Sequence, residues 1–123
     1  MTIQDAISRA DELKPNSFSS DMKVGWLSVV DTRVNDLRSR YEDGEAIEDF
    51  AGYDSETDMS TPLLVEDAYA ELYLHWIFAQ IDYFNEEYEK FNASNSMFQA
   101  VWSDYERYFN RKHMPRGTGK VYF

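Results

Sequence analysis

Between residues 66 and 91 the large apolar side chains return at helical steps. Tyr69, Leu72, Tyr73, Trp76, Ile77, Ile81, Phe84, Tyr88 and Phe91 stand three or four residues apart, with adjacent pairs near the start. That period places them on one face of a helix. The spacing predicts one helix over 66–91, about 39 Å long at the usual rise per residue, with Asn92 at its end. A second stripe, Phe98, Val101, Trp102, Tyr105, Tyr108 and Phe109, predicts a last helix over 95–112, capped by Ser94 or Asn95. The turn between them is short, so the two should pack antiparallel.

Two earlier segments carry the same signal. Ile3, Ala6, Ile7, Ala10 and Leu13 form one face of a helix over 3–13. Thr2 with Asp5 three residues on is close to a capping box, and Lys14-Pro15-Asn16 stops the helix. A second helix spans 20–41, with Ser19 or Ser20 as cap and Asp21 in its first turn. Its stripe is Val24, Leu27, Val30, Val34, Leu37 and Tyr41, and Trp26 lies off it.

Residues 42–67 break the pattern. They hold ten acids and no base, punctuated by Gly44, Gly52 and Pro62. A connection of that length is uncommon in a compact domain and is usually functional or mobile. Ala46 to Tyr53 is compatible with a short helix, and Leu63-Leu64-Val65 reads as an apolar plug on the core. Beyond Glu106 the charge inverts: Arg107, Arg111, Lys112, Arg116 and Lys120 appear with no acid, and Val121-Tyr122-Phe123 is apolar. The expected fold class is all-α. It is a small bundle of about four helices with two long antiparallel C-terminal helices, an acidic loop and an extended tail. Residues 1–115 make the single helical domain and 116–123 the basic and apolar tail.

Charge narrows function. With 12 basic and 23 acidic residues in 123, the net charge is −11. Phosphate backbones and anionic membrane surfaces repel such a chain. No Cys is present, which removes disulfides, thiolate catalysis and Cys-ligated zinc. No apolar run approaches the ~20 residues of a membrane span. The acidic, amphipathic first residues are unlike a signal peptide.

The candidate sites each lack an essential part. Asp54, Glu56, Asp58 and Ser60 alternate like calcium ligands, but Met59 stands where the loop requires Gly and Val65 where it requires Glu. Glu66, Asp67, Glu71, Asp82, Glu86, Glu87 and Glu89 suggest a magnesium-dependent all-helical nucleotide pyrophosphohydrolase. They do not reproduce the paired carboxylate spacing that two-helix metal binding needs. A di-iron bundle needs two Glu-x-x-His units, and the chain has only His75 and His113. No Ser sits in a nucleophile elbow. Tyr69, Tyr73 and Tyr88 fall on the core stripe, whereas Tyr83 lies off it and suits an exposed contact. The sequence therefore implies no enzyme and no cofactor. What remains is surface for a protein partner: the acidic loop and the basic tail are opposite in sign, as a head-to-tail contact between copies requires.

The order of motifs then becomes specific. Leu63-Leu64-Val65-Glu66-Asp67-Ala68-Tyr69-Ala70-Glu71-Leu72-Tyr73 is followed by Trp76, Ala79-Gln80-Ile81-Asp82, Asn85, Glu87-Tyr88, Phe91-Asn92, Ser94 and Phe98. Phe109-Asn110-Arg111 and His113-Met114-Pro115 close the run, and Lys14-Pro15-Asn16 with Trp26-Leu27 precede it. From about residue 10 to about 115, this resembles a family of small prophage proteins from Gram-positive bacteria, the head–tail connector or adaptor components of tailed phages. The resemblance implies a helical subunit of a ring below the portal. Such a ring extends the DNA channel without specific DNA binding and carries the stopper or tail-completion protein. It implies a virion component assembled in the bacterial cytoplasm, with no membrane partner. Residues 111–123 are then the expected portal-docking arm, through Arg111, Lys112, Arg116, Lys120, Val121, Tyr122 and Phe123. The acidic loop, through Asp54, Glu56 and Asp58, is expected to meet the basic end of a neighbouring copy. An acidic decoy that mimics DNA toward a host protein is the alternative, with the hydrolase behind it.

Overall fold

In a computed structural model, residues 1–113 are described. They form four α-helices: α1 (Ile3–Leu13), α2 (Ser20–Ser39), α3 (Glu71–Phe84) and α4 (Tyr88–Lys112). A single 3-10 turn, Asp67–Tyr69, leads into α3. The fold is all-α, and the 116–123 tail lies outside the described residues.

Local chemistry sets the first two helices as expected. Thr2 and Asp5 make a complete capping box on α1, each side chain accepting from the other's backbone N–H. Ser19 Oγ accepts from Met22 N at the start of α2. Ile3, Ala6, Ile7 and Ala10 of α1 and Val24, Leu27, Val30, Val34 and Leu37 of α2 are all buried. Leu13 is 62% exposed, so it lies outside the core that α1 otherwise fills.

The single helix expected over 66–91 is two helices and a turn. Asn85 N donates to Ile81 O, Glu86 N to Tyr83 O and Glu87 N to Asp82 O. The last two bonds, with Glu86 at φ 60°, define a Schellman motif that satisfies the end of α3. The left-handed position is occupied by a glutamate where glycine is usual, so no glycine marks the stop. The last helix consequently begins at Tyr88, and Ser94, an expected cap, lies inside it. The expected core stripe fails at the same place. Phe84 is 47% and Tyr88 57% exposed, because the chain reverses between them.

α3 and α4 make the most extensive helix–helix contact. Leu72, Tyr73, Ile77 and Ile81 from α3 meet Phe98, Trp102, Tyr105 and Phe109 from α4 in the core shared with α1 and α2. Burying each side chain of that size contributes roughly 1.5–3 kcal/mol. Trp26 is in this core too, contrary to its off-stripe position. It is buried, edge-on to Phe18 and stacked on Phe84, and its carbonyl accepts from Trp76 Nε1.

The acidic connection is stitched down although it has no helix at 46–53. Asn35 pairs with the backbone of Ile47 through both its amide groups, at 2.9 and 2.7 Å. Gly52 has φ 78°, and a Cβ there would meet Ser28 Oγ at 2.2 Å. Further on, Thr2 and Pro62 form an isolated antiparallel bridge, and Ile3 N, Gln4 N and Leu63 N donate to Thr61 O, Met59 O and Met1 O. Leu63 and Val65 are buried as the expected plug, with Leu64 half-buried. Among the described residues no helix is long and apolar enough to cross a membrane.

Candidate interaction surfaces

Two ends of the α3–α4 pair differ in chemistry. At the turn between them, Tyr83 touches Phe84, Tyr88 and Phe91 edge-on, with ring centroids 5.2, 6.3 and 5.5 Å apart. Phe84 continues the cluster to Trp26 and Phe18, at 5.8 and 6.2 Å. Tyr83 is 48% exposed, as its off-stripe position predicts, and Met22 beside Trp26 on α2 is also exposed. Glu86, Glu87 and Glu89 border the cluster, and among the described residues Glu87 alone of the three has an ion-pair partner, Lys90 at 2.5 Å. Aromatic side chains held by one another but open to water are the usual anchors of protein contacts.

At the far end, the last turn of α4 carries Arg111 and Lys112, both exposed. Lys112 Nζ donates to Tyr108 Oη at 3.0 Å, which favours the charged amine. His113 stacks on Phe109 at 4.0 Å, and its Nδ1 lies 3.0 Å from Asp43 Oδ1. Lys112 and His113 share a small cavity of about 210 Å³ with Asp43, Glu45, Glu66 and Arg38. The basic end of α4 thus already faces the first acids of the loop within one chain.

Asp54, Glu56 and Asp58 are elsewhere, exposed on the stretch between Tyr53, bonded to Ser28 of α2, and Met59, bonded to Gln4 at the start of α1. Two of them have local work. Asp54 Oδ1 accepts from Glu56 N at 2.9 Å, and Asp58 Oδ1 accepts from Ser60 N and Oγ at 2.9 and 2.8 Å. The backbone donor from Ser60 holds the Asp58 carboxyl below the ordinary carboxylate value. These are turn-forming aspartates. Arg116, Lys120, Val121, Tyr122 and Phe123 lie outside the described residues.

Three of the carboxylates considered for metal chemistry, Asp82, Glu66 and Asp67, have partners elsewhere in the fold. Both oxygens of Asp82 accept from Lys14 Nζ at 2.8 Å, and Oδ2 also accepts from Ser94 Oγ. Glu66 Oε1 accepts from Tyr105 Oη at 2.9 Å and lies 3.4 Å from Arg38 Nη2. Asp67 binds the Met1 amino group at 2.8 Å. Among the described residues no group of three or more His, Asp or Glu is placed to hold a metal ion.

One buried group escaped the sequence reading altogether. Asp31 is fully buried and accepts from Tyr53 Oη, Tyr73 Oη and, at 3.0 Å, Leu64 N. Tyr73 Oη in turn accepts from Val65 N at 2.8 Å. Desolvation raises the Asp31 carboxyl above its ordinary value, and the three donors oppose that rise. Burial, with the carboxylate beside it, pushes both tyrosine hydroxyls well up. The signal was present: Asp31 stands four residues after Leu27 and three before Val34, on the apolar stripe of α2.

Compared with known proteins, the chain matches no family model, no curated protein and no solved structure.

Proposed function

We propose that this protein is a structural subunit of a phage head–tail connector, an adaptor that docks as a ring on the portal and extends the DNA channel. The observation that carries the reading is the two-ended build of the α3–α4 pair, with an exposed aromatic cluster at the turn and a basic last turn of α4. Unlike ends favour head-to-tail contacts, and these close into a ring when the rotation allows. The net charge of −11 suits a channel through which DNA must slide without sticking. The motif order from Lys14 to Pro115 supplies the phage setting.

The partners are then the portal protein, neighbouring copies and a stopper or tail-completion protein. The protein becomes a virion component assembled in the bacterial cytoplasm, and its role needs no catalysis or cofactor. The docking element, toward the portal or a neighbouring copy, is the segment from Arg111 through Arg116 and Lys120 to Phe123. Electron microscopy of portal rings incubated with the protein tests this reading. An added layer on one face of the ring is the expected result. Bare rings, with competition for a DNA-binding host protein instead, would favour the acidic decoy.

A further inference from the structure

We propose that the aromatic cluster at the α3–α4 turn receives the basic and aromatic segment 116–123 of a second copy of this chain. The proposal deepens the connector reading and rests on it for the ring setting.

The receiving surface is on the page. Tyr83, Phe84 and Tyr88 are each about half exposed, at 48, 47 and 57%. Their rings are held by contacts with one another, with Phe91 and with buried Trp26. A side chain arriving there would displace water from apolar rings already fixed in place, with little further loss of rotamer freedom.

Charge selects the occupant. Glu86 and Glu89 are exposed at the turn, and Asp21 lies one residue from Met22 in the first turn of α2. The nearby cations are committed, Lys14 to Asp82, Lys23 to Asp11 and Lys90 to Glu87. An aromatic surface with an acidic border fits a segment that is both basic and aromatic. In this sequence Arg116, Lys120, Val121, Tyr122 and Phe123 have that composition, with no acid among residues 107–123.

Length selects a second copy over the same one. Tyr88 and His113 stand at opposite ends of α4, about 37 Å apart at the helical rise. Val121 is eight residues beyond His113, and even a fully stretched chain carries it no more than about 29 Å. Phe123, two residues further, gains at most about 7 Å more, so the chain's own tail could at most bring its last ring to the edge of its own cluster and could not also carry Arg116 and Lys120 to Glu86 and Glu89. The cluster of a neighbouring copy is under no such limit.

The test uses the full-length protein and a fluorescent peptide of residues 111–123, with binding followed by anisotropy. Saturable binding is expected, weakened about tenfold or more by Y83S/Y88S, as for truncated aromatic anchors. E86K/E89K changes only exposed side chains and should weaken binding and flatten its salt dependence. It keeps the test sound if the tyrosine variant loses its helical circular dichroism. Absence of saturable binding would overturn the proposal. So would binding that both variants leave unchanged, including binding lost only when Asp43 and Glu45 are altered. Portal association without peptide binding would defeat this proposal alone, whereas peptide binding without portal association would defeat the connector reading.

Discussion

Tyr73 of α3 donates its hydroxyl hydrogen bond to Asp31 of α2, and the same oxygen accepts from Val65 N at 2.8 Å. One side chain therefore joins two helices to the end of the acidic connection. Y73F keeps the ring and removes both bonds, leaving the Val65 N–H and part of the Asp31 carboxylate buried without a partner. The expected loss is about 1–3 kcal/mol. Urea denaturation of the two proteins measures it, and a change near zero would mean that water replaces the hydroxyl.

Asp31 also gives stability a pH dependence of definite sign. Its carboxyl is raised above 3.8 in the folded state, chiefly by desolvation. The folded protein thus holds this proton more tightly than the unfolded chain does. The stabilisation from protonated Asp31 is full below the unfolded value and is lost as pH rises through the folded one. Relative to D31N, the wild type should lose stability as pH increases from about 4 toward 7. Denaturation midpoints of both proteins across that range give the slope, and parallel curves would contradict the prediction.

Glu86 occupies a left-handed position, φ 60°, in the Schellman motif that ends α3. Its side chain is exposed, so E86G removes a backbone penalty without opening the core. We expect a gain of about 1 kcal/mol, read as a higher melting temperature. A lower one would place the value of Glu86 in its charge.

The Lys14–Asp82 pair pins the segment after α1 to α3, with Asp82 buried and Lys14 half-buried. K14M leaves the carboxylate with Ser94 as its remaining side-chain donor, and should cost up to about 3–5 kcal/mol. K14M/D82L removes both charges and should be the more stable of the two variants. The reverse order, measured by chemical denaturation, would contradict the account of a buried pair.

These pins explain what was legible in the sequence. Side-chain period found the faces of α1 and α2 because Ile3, Ile7, Val24 and Val34 pack by hydrophobicity alone. The capping box at Thr2 is a local signal, and it formed. The break at Glu86 was hidden because the apolar period runs through it and no glycine announces it. Trp26 was misplaced because its burial depends on Phe84, a partner brought near only by the end of α3. Among the candidate site residues, Tyr83 was readable from its angle on the helix. The turn roles of Asp54 and Asp58 rest on bonds from the backbone of Glu56 and Ser60, two residues on, a local signal that the turn-like run 54–58 carries.

The most direct measurement of the central claim mixes the protein with the portal ring that the connector reading assigns to it and follows the mass by light scattering. The same mixture is repeated with a chain lacking residues 111–123. The connector account predicts several copies added per ring, lost on truncation while the helical circular dichroism persists. A well-formed portal ring that elutes at its own mass, with this protein separate, would contradict it.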